Sequence, residues 1–303
     1  MKSKTQDLFF IILNFKNYRD TIRTVRNIQN NVEYNSDYGI LVVDNNSPNE
    51  SFKIISEEFS DDNKVYVIKN KINSGYAGGN NFGAKYIELH FPECKYIAII
   101  NPDVLFFKGT DLSKITFLLE KYEDLAAISP VHLLNNEFHS KLLAWKIPSG
   151  FDDLILNFSV LQKLFDKTKY KKYEINDDKL AFVEVLPGSF FVIKNNIFKH
   201  IDYFDENTFL FCEERILAKK LKNSGFKQAV YFESFYLHDH SNKQNNLKQK
   251  INNYNTLLKS RIYFNKNYNE KYGKSVAFLL YLLYPLRIAE LSLIHLLKNL
   301  LKR

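Results

Sequence analysis

Tyr96-Ile97-Ala98-Ile99-Ile100-Asn101-Pro102-Asp103 is a run of five mostly β-favouring residues that ends in a polar turn carrying one carboxylate. No charge interrupts the run, so it reads as a central strand of a parallel sheet, buried on both faces. Pro102 has no N–H to give to a ladder, and the chain is expected to turn there. Asp103 then lies at the carboxyl edge of the sheet, where open α/β folds place their ligands. A carboxylate there, close to a diphosphate, suits an oxygen-ligand divalent cation such as Mg or Mn. Asp is also an ordinary turn residue after a strand, so its meaning depends on what else reaches the same edge.

Upstream of this stretch the pattern alternates. Leu8 to Leu13 reads as a strand, and Arg19 to Asn30 as a helix with Ile22, Val25 and Ile28 on one face. Gly39 to Val43 is a second strand ending in Asp44-Asn45-Asn46-Ser47, and Ser47-Pro48-Asn49-Glu50 reads as a helix N-cap with a first-turn proline and a capping-box glutamate. Val65 to Ile68 is a third strand, followed by the Gly-rich loop Asn73 to Gly83. Alternation at this spacing predicts a parallel sheet with right-handed crossovers, every strand turning at the same edge. Asn14-Phe15, Asp44, the glycine loop and Asp103 are thereby expected on one rim. There Asp44 is suited to accept the imide N–H of a uracil or thymine, and the glycines allow backbone to lie against a base or sugar. Asp44 to Ser47 equally suits a plain β-α turn. The loop fits neither G-x-G-x-x-G nor a P-loop.

Downstream, Ala126 to Ser129 is a strand, and 131–179 reads as irregular, with the only tryptophan, Trp145, and a charged run from Asp166 to Tyr173. A long segment of this kind suits an acceptor-side insertion or lid, or a helical insertion. Pro187-Gly188-Ser189 forms a bend between two apolar runs, a place for substrate to approach backbone. Glu213-Glu214 opens a helix carrying Ile216, Leu217 and Leu221. Acids there complement the helix N-terminus, and one of them in a pocket is also suited to act as a general base on a sugar hydroxyl. His238-Asp239-His240 follows the last strand, and one imidazole on the rim of Asp103 would complete a cation site.

With 303 residues, 45% hydrophobic, the chain can bury a full α/β core and carry a smaller appendage. Cys94 and Cys212 lack metal-site spacing, and the polar start with a short apolar run lacks the form of a secretory signal, so a cytosolic chain is expected. The net charge of +8 is concentrated at the end: residues 241–274 hold eight basic residues against Glu270 alone, while residues 1–240 are slightly acidic. A near-neutral body with a basic tail argues against nucleic-acid binding.

Taken together these motifs resemble the family 2 glycosyltransferases of the GT-A fold, in particular the non-processive bacterial rhamnosyl- and galactofuranosyltransferase-like enzymes. Leu13-Asn14-Phe15-Lys16-Asn17 is similar to the family's first-strand turn, Val43 to Ser47 to its nucleotide motif, and Asn73 to Gly83 to its glycine loop. Asn101-Pro102-Asp103 sits where the family has its metal motif, Glu213-Glu214 where it has an acid pair, and His238 where it has a metal-binding histidine. The resemblance covers about residues 8 to 240. It implies an α/β GT-A (Rossmann-like), mostly parallel sheet flanked by helices, with 1–130 as the nucleotide-sugar-binding half and 131–240 as the acceptor-side half. It also implies an inverting enzyme moving sugar from a UDP- or dTDP-sugar to a lipid-linked or glycan acceptor, with Mg or Mn on Asp103 and His238. The implied base is Glu214, with Glu213 its rival. Donor contacts are implied for Asn14, Phe15, Asp44, Asn46, Asn73, Gly75, Gly79, Asn81, Asn101 and Asp103, and acceptor-side roles are assigned to Gly188, Ser189 and Trp145. Departures are Glu214 in place of the commoner aspartate and Ile216-Leu217 in place of a frequent Asp-Leu. A non-catalytic nucleotide-sugar-binding protein on the same fold is the alternative.

The tail, 241–303, is expected to be helical. Val276 to Leu286 is too short to span a bilayer. Beyond it Arg287, Glu290, His295, Lys298 and Lys302 fall on one arc and leucines on the rest. The pattern suits an in-plane anchor on an anionic inner leaflet, or a helix pair on the catalytic domain or on a second subunit. A peripheral position on the inner face of the cell membrane is the expected location.

Overall fold

A computed structural model describes residues 6–134, 137–139, 143–239 and 246–301. The first half is β1 (Gln6–Asn14), α1 (Tyr18–Asn31), β2 (Val32–Glu33), β3 (Asp37–Asp44), α2 (Ser51–Glu58), β4 (Val65–Lys69), α3 (Gly75–His90) and β5 (Tyr96–Ile100). β1, β3, β4 and β5 are parallel, as their spacing predicts, and Asn14 stands in register with Asp44 while Ile12 is in register with Ile100. Pairing in this register places Asn14, Asp44 and Asn101 along one edge.

The second half comprises β6 (Val104–Phe106), β7 (Thr110–Asp111), α4 (Ser113–Lys121), β8 (Leu125–Leu134), β9 (Glu137–Phe138), α5 (Gly150–Leu156), α6 (Ser159–Phe165), β10 (Leu180–Val183), β11 (Phe190–Lys194), α7 (Asn195–His200), α8 (Glu213–Asn223) and β12 (Lys227–His238). The main sheet runs β10-β12-β8-β11-β5-β1-β3-β4. The sheet is mostly parallel, as expected, with two exceptions: β11 is antiparallel to β5 and β8, and β10 to β12. A buried apolar run carries no direction in its sequence. Alternate residues of β1 feed the two faces, Leu8, Phe10 and Ile12 into one core and Phe9 and Ile11 into the other.

Three local expectations also change. Gly75 to Gly83 is not loop but the first turns of α3. A Cβ on Gly79 would stand 2.4 Å from Leu13 Cδ1 and one on Gly83 3.0 Å from Ile11, so these glycines let the helix lie close on the sheet. Ser47 is not an N-cap, since α2 starts at Ser51 after Glu50 and without a side-chain cap. The segment 131–179 is more regular than expected: β8 runs on to Leu134, and α5 begins with a capping box between Ser149 and Asp152.

The tail forms α9 (Leu247–Tyr268), α10 (Gly273–Leu282) and α11 (Tyr284–Leu300). No single described helix is long and apolar enough to cross a membrane; α10 and α11 meet that test only together, bent by 51°. The charged arc of α11 meets α6 and α9. Glu290 accepts a hydrogen bond from the Ser159 backbone N–H at 2.9 Å, Arg287 donates to Ser159 Oγ at 2.9 Å, and Lys250 meets His295 at 3.3 Å, so most of the charged arc faces protein. Leu286, Leu293, Leu296, Leu297 and Leu300 are exposed. Lys302 and His240 lie outside the described residues.

Candidate active site

The rim begins at the Asn14 side chain, which donates to Asp44 Oδ2 at 2.7 Å and accepts from Thr21 Oγ1 at 2.9 Å. Asp44 Oδ1 accepts from the Ser47 N–H at 2.9 Å, and Ser47 Oγ accepts from the Lys16 N–H at 2.9 Å. Asp44 is therefore fully buried and occupied in shaping its own turn, instead of presenting its carboxylate to a base. Asn45 takes over the next turn: its amide donates to Asn73 Oδ1 at 3.0 Å and to the Gly75 carbonyl at 2.9 Å. What this scaffold leaves open is Asn46, at a φ of 58° and exposed, and the 41%-exposed ring of Phe15. Asn73 is half-buried beside them. Gly75 has a φ of 74°, and a Cβ there would stand 2.0 Å from the Phe209 carbonyl oxygen, so only glycine fits. Asn81 is buried and closes on the Phe204 backbone in both directions, at 2.9 and 3.0 Å, which makes it a staple for the 204–206 loop and corrects the expectation that it faces the donor.

Asp103 meets His238 because β6 pairs antiparallel with the end of β12, with Val104 opposite His238. Asp103 Oδ1 and His238 Nε2 are 3.2 Å apart, both partly open to solvent. Thr24 Oγ1 donates to the Pro102 carbonyl at 2.6 Å and Arg23 pairs with Asp239 at 2.9 Å, so α1 holds both sides of the pair. One oxygen and one nitrogen donor at this separation have the spacing of neighbouring ligands around one ion, whose bonds are about 2.1 Å. No group of three His, Cys, Asp or Glu occurs among the described residues, so an ion held there takes its other ligands from bound phosphate or water.

The acid pair stands across the Pro187-Gly188-Ser189 bend. The Asn101 N–H donates to the Ser189 carbonyl at 2.8 Å, tying the bend to the turn that carries Asp103. On its other side a Cβ at Gly188 would stand 2.6 Å from Glu214 Oε1, and the Gly188 backbone hydrogen-bonds to the Glu214 carboxyl. Tyr76 donates to the Gly188 carbonyl at 2.6 Å, and Ser189 Oγ pairs with the Tyr236 hydroxyl at 2.8 Å. The Trp145 backbone pairs with Val185, two residues before this bend. Phe211 and Cys212, both at positive φ, make the sharp turn that starts α8 with the two glutamates.

Burial raises both carboxyls, and the Glu214 charge raises Glu213 further. Glu213, only 4% exposed, is pushed up to about 8, so it holds its proton at neutral pH. Glu214 is half-buried and has the Arg215 guanidinium beside it favouring its charge.

Sequence reading missed what secures this turn. Asp153 of α5 is fully buried and accepts from Arg215 Nη1 at 2.8 and 3.0 Å and from Asn265 Nδ2 at 2.7 Å, with Arg261 Nε at 3.6 Å. Ser260 Oγ donates to the Leu210 carbonyl at 2.8 Å, and Tyr263 and Tyr268 donate to Asp205. α9 thus packs as part of the site's framework, and Arg261, counted among the tail's basic residues, is internal. The one signal was an arginine at 215 beside the apolar Ile216-Leu217.

Among solved structures the chain is similar to GalNAc-T7 with UDP, GalNAc and Mn2+, with a TM-score of 0.57 at 13% identity over 79% of this chain and 45% of that one. It is similar also to the mannosyltransferase PcManGT of Pyrobaculum calidifontis with GDP-Man and Mn2+, with a TM-score of 0.57 at 11% identity over 96% and 74%. These likenesses establish the GT-A fold. Among curated proteins, it is 26% identical over 208 residues to the low-salt glycan biosynthesis hexosyltransferase Agl10 of Haloferax volcanii, covering 69% of this chain and 59% of that protein. It is 25% identical over 247 residues to rhamnosyltransferase WbbL of Escherichia coli, covering 74% and 89%. The glycosyl transferase family 2 model matches residues 10–202, more than half of the chain, and the protein belongs to that family of glycosyltransferases.

Proposed function

We propose that this glycosyltransferase inverts the anomeric centre while moving a sugar from a UDP- or dTDP-sugar to a lipid-linked or polysaccharide acceptor, in capsule, O-antigen or cell-wall glycan synthesis at the inner face of the membrane. The observation that carries the chemistry is the bend at Pro187–Ser189, with Asp103 tied to one side and Glu214 to the other. A sugar seated on that bend has a site for its diphosphate on one flank and a base on the other. Phe15, Asn46 and Asn73 line the donor rim, and Asp44 and Asn45 hold it in shape.

Glu214 takes the proton of the acceptor hydroxyl as that oxygen bonds to the anomeric carbon, and the bond to the diphosphate breaks on the opposite face, its electron pair leaving with the phosphate oxygen. A divalent cation, Mg or Mn, held by Asp103 and His238 supplies positive charge for the leaving diphosphate. Protonated Glu213 keeps a second negative charge away from Glu214 as it accepts the proton. The membrane part of the reading rests on the exposed apolar face of α10 and α11. The test of the acceptor class is incubation of the protein with labelled donors and a membrane lipid extract. Label entering the organic phase supports a lipid-linked acceptor, and label appearing only on soluble glycan excludes it.

A further inference from the structure

Outside the rim, α6 and residues 166–174 enclose a groove of about 1140 Å3. Six lysines line it, at 146, 163, 167, 169, 171 and 172, against Asp166 and Glu174 alone. Only Lys169 has a carboxylate within 4.0 Å among the described residues, Asp166 at 3.9 Å. Lys163, Lys167, Lys171 and Lys172 are all exposed. Six cations against two acids leave the groove with an excess of positive charge that draws phosphate oxygens.

The groove adjoins an apolar surface. The start of α6 is held to the first turns of α11 through Ser159 with Glu290 and Arg287. Val160 and Leu164 of α6 are 61% and 66% exposed, and Leu293 and Leu296 of α11 are 55% and 56% exposed. α5 and α10 adjoin in the same way, since a Cβ on Gly150 would meet Val276 at 2.7 Å. Exposed leucines on neighbouring helices, bordered by a lysine cluster, have the chemistry of a surface that rests in a bilayer interface with phosphates at its edge.

We propose that the lysine groove binds the phosphate headgroups of anionic membrane phospholipid while α6, α10 and α11 rest on the acyl boundary. The segment 151–172 is thereby a membrane contact separate from the tail. This rests on the membrane part of the function proposed above, and not on the transfer chemistry.

The test is flotation of the full-length protein with vesicles of phosphatidylcholine alone or with a third phosphatidylglycerol, comparing wild type with the combined K167A/K171A/K172A variant. Wild type should prefer the anionic vesicles, and the variant should lose about fivefold per lysine, roughly 100-fold in all, on those vesicles only. Circular dichroism and thermal unfolding check that the variant is folded. Inorganic pyrophosphate should not displace the protein at concentrations that leave ionic strength unchanged; displacement would assign the groove to a soluble phosphate ligand and overturn the lipid assignment. Wild-type and variant binding of equal strength on anionic vesicles would overturn the groove while leaving the apolar contact standing. Absence of wild-type binding to either vesicle would overturn both, with the donor assay still reporting on the transferase.

Discussion

On the donor rim the buried Asp44 is surrounded by neutral donors, the Asn14 amide and the Ser47 N–H; behind the base the buried Asp153 is surrounded by two guanidinium groups and an amide. The first network is built from residues within one β-α turn and its neighbour strand. The second joins α5, α8 and α9 across 62 and 112 residues of chain. The first network holds its carboxylate with neutral donors and contributes no positive charge to the diphosphate proposed to bind beside it. The ionic one leaves excess positive charge close to two carboxyls, of which one must be charged to work.

The sharpest way to separate the two regions is at the base itself. Glu214→Gln should lower transfer by about 10² to 10⁴ while leaving donor binding intact, because the amide cannot take the proton. The check is steady-state transfer beside calorimetric donor binding, and wild-type turnover would remove Glu214 from its role.

Asp153→Ala should cost about 3 to 5 kcal/mol, since it strands two buried arginines. Denaturant unfolding measures this. A loss under 1 kcal/mol would mean that Arg215 and Arg261 find water, and the ionic framework would lose its meaning.

Glu213 tests the field. Its folded pKa is raised above that of the unfolded chain, so the folded state binds the extra proton, and stability falls as pH rises from about 4.5 to about 8. That one group should contribute about 1.4 kcal/mol per pH unit across the window, and Glu213→Gln should flatten that part of the profile. An unchanged pH profile of stability in the variant would show that Glu213 is ionised throughout.

The smallest effect is expected on the neutral side. Asn81→Ala should cost about 1 to 3 kcal/mol by freeing the Phe204 backbone and should leave donor affinity nearly unchanged. A selective loss of donor affinity would return Asn81 to the sugar site.

The same contrast decides how much could be read from sequence. The rim was legible because β-α alternation fixes which edge a turn falls on: Asn14 and Asp44 each end a strand, and Asp103 lies in the turn after one. The role of Asp44 was not, since an Asp that shapes a turn and one that faces a ligand have the same neighbours in sequence. Nothing in Phe151-Asp152-Asp153 marks Asp153 as buried, because its partners are distant in the chain. The charged arc of α11 carries the same helical periodicity whichever way it faces; only Ser159 and Lys250 opposite it settle the direction. The antiparallel β11 was invisible for the related reason that five buried apolar positions read alike in both directions.

The most direct test of the central claim is nucleoside diphosphate release from a panel of UDP-, dTDP- and GDP-sugars, with Mg or Mn and with chelator, in wild type and Asp103→Ala. The account predicts release from one UDP- or dTDP-sugar that requires the metal and disappears in the variant. Release that ignores both the chelator and the loss of Asp103 would contradict it.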